Sequence, residues 1–175
     1  MPLFAPWRAA HIARATDAAR DGRDSSGSAP DGPGLFARLA AADPADDARN
    51  LVLHRGQTCF VVLNRYPYTG GHLMVVPYRE VAAYDALSPE ERAELAELTA
   101  RAMGWLRTAY RPDGFNVGIN QGEAAGAGIP RHLHQHVVPR WHGDTNFMTS
   151  VGGERVIPES LEQTYQRLHK TASAG

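Results

Sequence analysis

The stretch RHLHQHVVPRW, residues 131–141, places three histidines at every second position and follows them with two valines and a proline. Alternate side chains of a β-strand point to the same face of the sheet, and two residues span about 7 Å. His132, His134 and His136 are therefore predicted to form a row of imidazoles along one face of a strand. The residues between them are predicted to point to the other face.

Three interpretations of this row are open from the residue types alone. The histidines could be exposed residues of a solvated sheet face, which is the usual explanation for a single histidine. They could bind a metal ion, although catalytic zinc commonly needs a third ligand with a base in range, and structural zinc usually takes cysteines. They could also act on phosphorus, with one neutral imidazole as the nucleophile and a protonated neighbour as a hydrogen-bond donor.

The segment before the histidines favours the third interpretation. QGEAAGAGIP, residues 121–130, is rich in glycine and alanine, and small residues let backbone amides approach an anion closely. The same glycines could instead form only a tight connection between two strands. Beside a row of imidazoles, they favour phosphate binding over metal binding.

The segments around this stretch predict an α+β domain. Short β-branched runs bounded by turn residues predict strands, and helically spaced leucines after an N-capping Ser88, with Pro89 and Glu91, predict a long helix. The predicted strands are 50–56, 58–64, 72–77, 114–122 and 132–141, and the predicted helices are 88–110 and Pro158 to about Lys170. This order indicates an antiparallel sheet with helices packed on one face.

Composition narrows the class of protein. Acidic and basic residues nearly cancel, to a formal net charge of -1, which argues against a binder of nucleic acid or membrane surfaces. The single cysteine, Cys59, lies in the apolar run CFVVL, so we expect a buried, inert thiol and no intrachain disulfide. No apolar stretch reaches the length of a membrane span, and we recognise no signal peptide. We therefore expect a cytoplasmic protein.

The start of the chain differs from the rest in composition. Residues 16–34, TDAARDGRDSSGSAPDGPG, contain almost nothing that could be buried, which predicts a mobile loop. The 175 residues suit one domain better than two. We therefore predict an N-terminal segment, 1–34, that carries this loop, and a globular domain, 35–175.

The histidine stretch resembles the signature of the histidine triad (HIT) superfamily. HLHQHVV fits the pattern His-x-His-x-His-x-x, with Gln135 where an apolar residue is usual. The order and spacing of LNRYPYTGGHLMVVPYR, NVGINQGEAAGAG and HLHQHVVPRWHGDTNFM also match the family, and the opening FAPWR is similar to its bacterial diadenosine polyphosphate branch. The resemblance implies an HIT-like fold, in which a long helix and a C-terminal helix pack against an antiparallel sheet.

The resemblance assigns catalytic roles to four histidines. It implies that His134 attacks the α-phosphorus and forms a covalent nucleotidyl-histidine, which water or phosphate then resolves. It implies that His136 contacts the α-phosphate oxygens. His132 and His72 would orient the nucleophile and its neighbours through hydrogen bonds.

The resemblance also implies a set of nucleotide contacts, to the ribose, the phosphates and the base. They are Asn64 for the ribose hydroxyls, Gln121 for the phosphate or bridging oxygen, the backbone of Gly128 and Ile129 for phosphate, Phe36, Leu39 and Val62 for the base, and Asn146 as a further contact. Arg131 and Arg140 are the nearest fixed positive charges to the triad in sequence, and either could hold a polyphosphate tail.

Many relatives in this family bind structural zinc, and their ligands can be compared with this sequence. They carry Cys-x-x-Cys near the start of the domain and a histidine after the third strand, which bind zinc together with the first triad histidine. This sequence has Gly34, Ala37 and Glu80 at the first three of these positions. We therefore predict no metal site and no cofactor.

The resemblance implies a hydrolase or transferase that acts on dinucleoside polyphosphates such as diadenosine tetraphosphate. It also implies a homodimer, and we expect no nucleic-acid or membrane partner. A diadenosine polyphosphate phosphorylase and an adenosine phosphoramidase are the alternatives among enzymes. A non-catalytic nucleotide-binding module is the alternative from another class, and His134 argues against it because a pure binder needs no nucleophile.

Overall fold

A computed structural model of the chain describes residues 32–144 and 159–173. The α-helices in these ranges are α1 (Leu35–Ala41), α2 (Asp47–Asn50), α3 (Pro89–Tyr110) and α4 (Leu161–Ala172), and the strands are β1 (Val52–Arg55), β2 (Cys59–Leu63), β3 (Leu73–Pro77), β4 (Gly114–Ile119) and β5 (Gln135–Arg140). Short 3₁₀ turns lie at Pro44–Asp46, Tyr84–Ala86 and Glu123–Ala125. The loop predicted at 16–34 and the contact predicted at Asn146 lie largely or wholly outside the described residues.

The five strands form one antiparallel sheet in the order β1-β2-β3-β5-β4. Every residue of β2 and β3 is buried, which explains why these two strands are apolar on both faces rather than alternating. The α+β class with an antiparallel sheet is confirmed.

Each face of the sheet carries its own apolar cluster. On one face, α3 and α4 cover a large core that includes Val61, Leu95 and Leu106. On the other face, Phe36 of α1 packs with Val62 and four further residues in a smaller cluster. Val61 and Val62 are neighbours in sequence and belong to opposite clusters, as the alternation of a strand requires. The long helix and the C-terminal helix pack together on one face, as predicted.

The three triad histidines lie on the face opposite the long helix. Leu133 and Val137 belong to the core beneath α3 and α4, and the histidines alternate with them. The prediction that all three share one face is therefore confirmed. The strand itself begins later than predicted, at Gln135, because the N–H of Leu133 donates to the carbonyl of Val81 and not to β3.

The helix ends follow local capping chemistry. Ser88 and Glu91 form a capping box at the start of α3, so the helix predicted over 88–110 is confirmed. The predicted start of the last helix at Pro158 is wrong, because Ser160 and Gln163 form a second capping box and α4 begins at Leu161. The pattern Ser-x-x-Gln was present in the sequence and would have placed this boundary.

The loop between β2 and β3 brings His72 onto the sheet. Gly71 has φ +80, and a Cβ atom at this position would lie 2.9 Å from Leu106 Cδ2 of α3. Only glycine allows both this backbone conformation and this close approach. The loop can therefore lie against α3 and place His72 immediately before β3. His72 is fully buried there.

Cys59 lies at the start of β2 and is completely buried. Burial is the main cause that raises the pKa of its thiol to about 11. A thiol that stays protonated and inaccessible is a poor nucleophile and a poor metal ligand, which agrees with the predicted inert core thiol. Among the described helices, none is long and apolar enough to span a bilayer.

Candidate active site

A pocket of about 600 Å³ opens on the face of the sheet that carries the histidines. Its apolar wall includes Phe36 and Leu39 of α1, Val62 of β2, and Ile129 of the loop before β5. Its polar lining consists of His134, His136, Asn50, Asn64, Asn120, Arg38, Arg49, Arg65 and Asp46, together with the tyrosines Tyr66 and Tyr68. The size of the pocket, and its apolar wall facing a set of polar side chains, suit a site for a small polar organic ligand.

His134 is buried, and its hydrogen bond fixes which ring nitrogen is protonated. Its Nδ1 lies 2.9 Å from the backbone oxygen of His132, which can only accept a hydrogen bond. The neutral ring must therefore carry its proton on Nδ1, which leaves a lone pair on Nε2. Burial is the main cause that lowers the pKa of His134 below its ordinary value, so this nucleophilic form persists at neutral pH.

His136 has the opposite tautomer because of His72. The backbone N–H of Tyr68 donates to His72 Nδ1 at 3.1 Å, so the neutral His72 ring carries its proton on Nε2. This N–H donates to His136 Nδ1 at 2.9 Å, and the neutral His136 ring therefore carries its proton on Nε2. The rings of His134 and His136 are 5.0 Å apart, which places a nucleophilic nitrogen beside a hydrogen-bond donor.

His132 contributes to the site through its backbone more than through its ring. Its carbonyl holds His134, while its ring Nε2 donates to the carbonyl of Pro77 at 2.8 Å. The ring is almost fully buried, and burial is the main cause that lowers its pKa. The family resemblance implied that His132 and His72 orient the nucleophile and its neighbours through hydrogen bonds. Here the contact to His134 comes from the His132 carbonyl, and the His72 ring contacts His136.

Phe36 forms part of the wall and also holds the nucleophile in place. Its ring centroid is 5.1 Å from that of His134 and 5.4 Å from that of His132. Only 2% of Phe36 is exposed, so most of its surface packs on protein. Leu39, Val62, Gly128 and Ile129, which the resemblance implies as nucleotide contacts, also line the pocket.

The polar residues predicted to contact nucleotide are not all brought to the pocket. Asn64 lines it, and its Oδ1 accepts the backbone N–H of Tyr66 at 2.9 Å. Gln121 does not line it, because its Oε1 accepts the backbone N–H of Tyr84 at 2.8 Å. The neighbouring Asn120 lines the pocket instead. The predicted phosphate contact from Gln121 is therefore not supported by this geometry.

The two arginines suggested for a polyphosphate tail also lie elsewhere. Arg131 forms an ion pair with Glu80 at 3.0 Å. Arg140 contacts both carboxylate oxygens of Asp144 and also donates to Asn116. Neither of these arginines lines the pocket. Their nearness to the triad in sequence was misleading, because Arg131 precedes β5 and Arg140 is the last residue of that strand, four positions beyond His136.

Several pocket residues were missed from the sequence, above all Arg49, Asn50 and Arg65. Arg65 follows Asn64 directly, so its place beside a predicted contact was a usable signal. Arg49 and Asn50 end the short helix α2, and only the pairing of β1 with β2 brings them beside Asn64. No sequence pattern indicated that contact.

The residues present do not fit the structural zinc site of relatives. Gly34 has no side chain, and a Cβ atom there would lie 3.9 Å from Glu80 Oε2. Glu80 is already paired with Arg131. His132 Nδ1 is buried without a hydrogen-bond partner, but Glu80 and His132 would supply only two protein ligands where tetrahedral zinc needs four. Within residues 32–144 and 159–173, no three or more His, Cys, Asp or Glu side chains are arranged so that together they could hold a metal ion.

The lowered pKa values of His132 and His134 predict a loss of stability in acid. Because both rings resist protonation when folded, the unfolded chain binds more protons below the ordinary histidine pKa. The free energy of unfolding should therefore be highest above pH 6.5 and should fall as the pH decreases through the folded pKa values. Urea unfolding of the wild type and of His134→Asn at pH 7.5 and 5.5 would check this. The variant should lose less stability than the wild type, and an equal loss would contradict the prediction.

Comparison with known proteins agrees with this geometry. The HIT domain family model matches residues 46–143, which is more than half of the chain. A Mycobacterium tuberculosis protein named AP-4-A phosphorylase is 50% identical over 122 residues, or 70% of this chain. The chain spans 63% of the length of that relative. A Schizosaccharomyces pombe protein named bis(5'-nucleosyl)-tetraphosphatase [asymmetrical] is 29% identical over 93 residues, which cover 53% of this chain and 50% of that protein.

Solved structures show the same fold. The structure of a zinc-bound histidine triad family protein from Mycobacterium smegmatis matches with a TM-score of 0.64 and 27% identity, over 80% of this chain and 93% of that one. The predicted HIT-like fold is confirmed by this match, together with the five-stranded sheet and its helices. From the family match and the triad geometry together, the chain belongs to the HIT domain family.

Proposed function

We propose that this protein cleaves dinucleoside polyphosphates, such as diadenosine tetraphosphate, at the α-phosphate through a covalent nucleotidyl-histidine on His134. The observation that carries the proposal is the pair of opposite tautomers in the pocket. His134 offers the lone pair of Nε2, and His136 offers the proton of its Nε2. Attack on a phosphorus centre requires a nucleophile beside a donor to the oxygens that develop charge.

The first step forms a bond between His134 Nε2 and the α-phosphorus. The bond from the α-phosphorus to the bridging oxygen breaks, and the leaving nucleotide takes the electron pair. The ring of His134 becomes positively charged in this step, and its Nδ1–H remains bonded to the carbonyl of His132, 2.9 Å away. A carbonyl dipole aimed at this charge stabilises the intermediate. His136 donates to an oxygen of the transferred group.

The second step releases the nucleotide to an acceptor. An oxygen of the acceptor bonds to the α-phosphorus, the bond to His134 Nε2 breaks with its electron pair returning to the nitrogen, and His134 returns to its neutral form. When the acceptor is water, the proton that it loses passes to solvent. With diadenosine tetraphosphate, the first step yields ATP, and the second yields AMP if the acceptor is water or ADP if it is inorganic phosphate. The relative with 50% identity is named a phosphorylase, which favours phosphate as the acceptor here.

We assign the nucleoside to the apolar wall. The base would lie against Phe36, Leu39 and Val62, and Asn64 would bind the ribose hydroxyls, since these residues line one pocket with His134. The backbone of Gly128 and Ile129 would bind phosphate oxygens.

The proposal also includes a homodimer located in the cytoplasm. Strand β4 bonds only to β5 among the described strands, so its free edge would let the sheets of two copies continue into one another.

Product analysis tests the proposed reaction and its acceptor. The protein would be mixed with diadenosine tetraphosphate, with and without inorganic phosphate, and the nucleotides separated by anion-exchange chromatography. We expect ATP and ADP, and only when phosphate is present. ATP and AMP without phosphate would replace the phosphorylase by a hydrolase. No products under either condition would overturn dinucleoside polyphosphate cleavage, and binding without turnover would favour a nucleotide-binding module.

A further inference from the structure

The histidine centre offers little fixed positive charge to a polyphosphate. His132 and His134 both have lowered pKa values because they are buried, so both are neutral at pH 7. A dinucleoside polyphosphate carries a negative charge on each phosphate of its chain. Charges of this kind are bound in proteins by arginine or lysine, whose donors match phosphate oxygens. His132 and His134 therefore supply no counter-charge, and the pocket lining also contains the arginines Arg38, Arg49 and Arg65.

Arg49 and Arg65, which we call the arginine rim, both line the pocket. Arg65 Nη2 donates to the backbone oxygen of Arg49 at 3.4 Å, which places the two residues side by side. Arg38 lines the pocket from α1, where its Nη1 donates to the carbonyl of Pro33. Asp46 is the one carboxylate among the described lining residues. The pocket lining is thus locally cationic, although the whole chain has a net charge of -1.

A short series of contacts joins the rim to the histidine centre. Arg65 directly follows Asn64, whose Nδ2 lies 3.4 Å from His72 Nδ1. His72 in turn is bonded to His136. A ligand whose α-phosphate lies at His134 and His136 therefore has the rim within the same pocket.

The rim is not required for the fold. Arg49 is paired with Asp46 at 2.9 Å, but the side chain of Arg49 is 76% exposed and that of Asp46 is 42% exposed. Such solvated pairs contribute little to stability, so the guanidinium can exchange this partner for a phosphate. The carboxylate of Glu162, an exposed residue, also interacts with Arg65. The pKa of Glu162 is lowered mainly by hydrogen bonds with its own backbone N–H and with Ser160, and to a smaller extent by Arg65. By contrast, Arg55 is largely buried, and it holds Asp47 and three backbone carbonyls together.

We propose that the arginine rim binds the phosphates of the leaving nucleotide, beyond the α-phosphate. The inference rests on the proposed function, because it assumes that the α-phosphate lies at the histidines. It assigns to Arg49 and Arg65 the preference for a long polyphosphate chain over a mononucleotide. The two arginines that the sequence had suggested for this purpose, Arg131 and Arg140, lie outside the pocket.

Binding measurements on a non-reacting protein test this proposal. Arg49→Gln, Arg65→Gln and the double variant would be made in the His134→Asn background, so that no ligand is consumed. Dissociation constants for diadenosine tetraphosphate and for AMP would be measured by isothermal titration calorimetry. Arg167→Gln is the matched control, because Arg167 is half exposed and paired with Glu159, and it lies outside the pocket.

We expect each rim substitution to weaken tetraphosphate binding about tenfold, as the loss of a charge-assisted hydrogen bond predicts. AMP binding should stay within about twofold, which also shows that each variant is folded. The control should change neither constant. Equal weakening for AMP and for the tetraphosphate, or no weakening for either, would overturn the rim as a tail site and leave the proposed function standing. If neither nucleotide binds to the background protein, both the proposed function and this inference fail.

Discussion

Substitution of His134 by asparagine should reduce kcat for diadenosine tetraphosphate by about 10⁴-fold or more, the scale seen when a covalent nucleophile is removed. The expected cause is specific. The Nδ2–H of asparagine can still donate to the carbonyl of His132, so the pocket keeps its shape. Asparagine, however, has no basic ring nitrogen to attack phosphorus. Steady-state product formation, measured with each protein at the same concentration, would give the ratio.

Two further measurements make this result decisive. His142→Asn is the matched control, because the side chain of His142 is 94% exposed, bonded to Asp113, and outside the pocket. It should retain wild-type kcat. With substrate labelled at the α-phosphate, the quenched wild type should carry acid-labile label, as expected for a phosphorus–nitrogen bond, and His134→Asn should carry none. If kcat of His134→Asn stays within about tenfold of the wild type, His134 is not the nucleophile.

The second large effect concerns stability, and it comes from Glu94 on the long helix. Its carboxylate accepts the backbone N–H groups of Gln57, Thr58 and Cys59, and also the hydroxyl of Thr58 at 2.6 Å. Burial alone raises the pKa of Glu94, but these hydrogen bonds outweigh that effect and lower it. One side chain thus fixes the turn between β1 and β2 to α3.

Glu94→Ala should lower the free energy of unfolding by about 3 kcal/mol, because it leaves several backbone donors without a partner in a partly buried turn. Glu94→Gln keeps one acceptor oxygen and should lose less. Chemical denaturation followed by circular dichroism would give both values. Glu97→Ala, at an exposed position of the same helix, should change stability by less than about 0.5 kcal/mol. A loss below about 1 kcal/mol for Glu94→Ala would show that water replaces the carboxylate.

The amphipathic pattern of α3 predicted the helix but not this role of Glu94. The pattern identifies which positions face the core, and it predicts that Glu94 is one of several glutamates on the solvated face of the helix. Its partners lie 35 to 37 positions earlier in the sequence. Only the packing of α3 against the first strands brings them together. The close fit is visible at Gly56, where even a Cβ atom would clash with the Glu94 carboxylate.

The pocket shows the same division between local and long-range information. Phe36, Leu39, Val62 and Asn64 were predicted from the family resemblance, and all of them line it. Arg49 and Asn50 were missed because they reach it only through the pairing of Val52 with Val62. Gln121 and Asn120 show that even adjacent residues can differ in whether they line the pocket. The two amides are adjacent in sequence, yet the bond of Gln121 to Tyr84 leaves only Asn120 in the pocket lining.

The sequence by itself determined the alternation of the histidines, the strands, the long helix with its capping box, and membership of the HIT family. These features depend on neighbours a few residues apart, where backbone geometry and side-chain chemistry act directly. The partner of His134 is the carbonyl of His132, only two positions away. The tertiary structure alone decided the tautomer of His136, because its partner is the ring of His72, 64 positions away in sequence. It also decided which arginines line the pocket. Hydrogen bonds and electrostatic interactions depend on the distance between atoms. For residues far apart in sequence, that distance is set only when the strands have paired into the sheet.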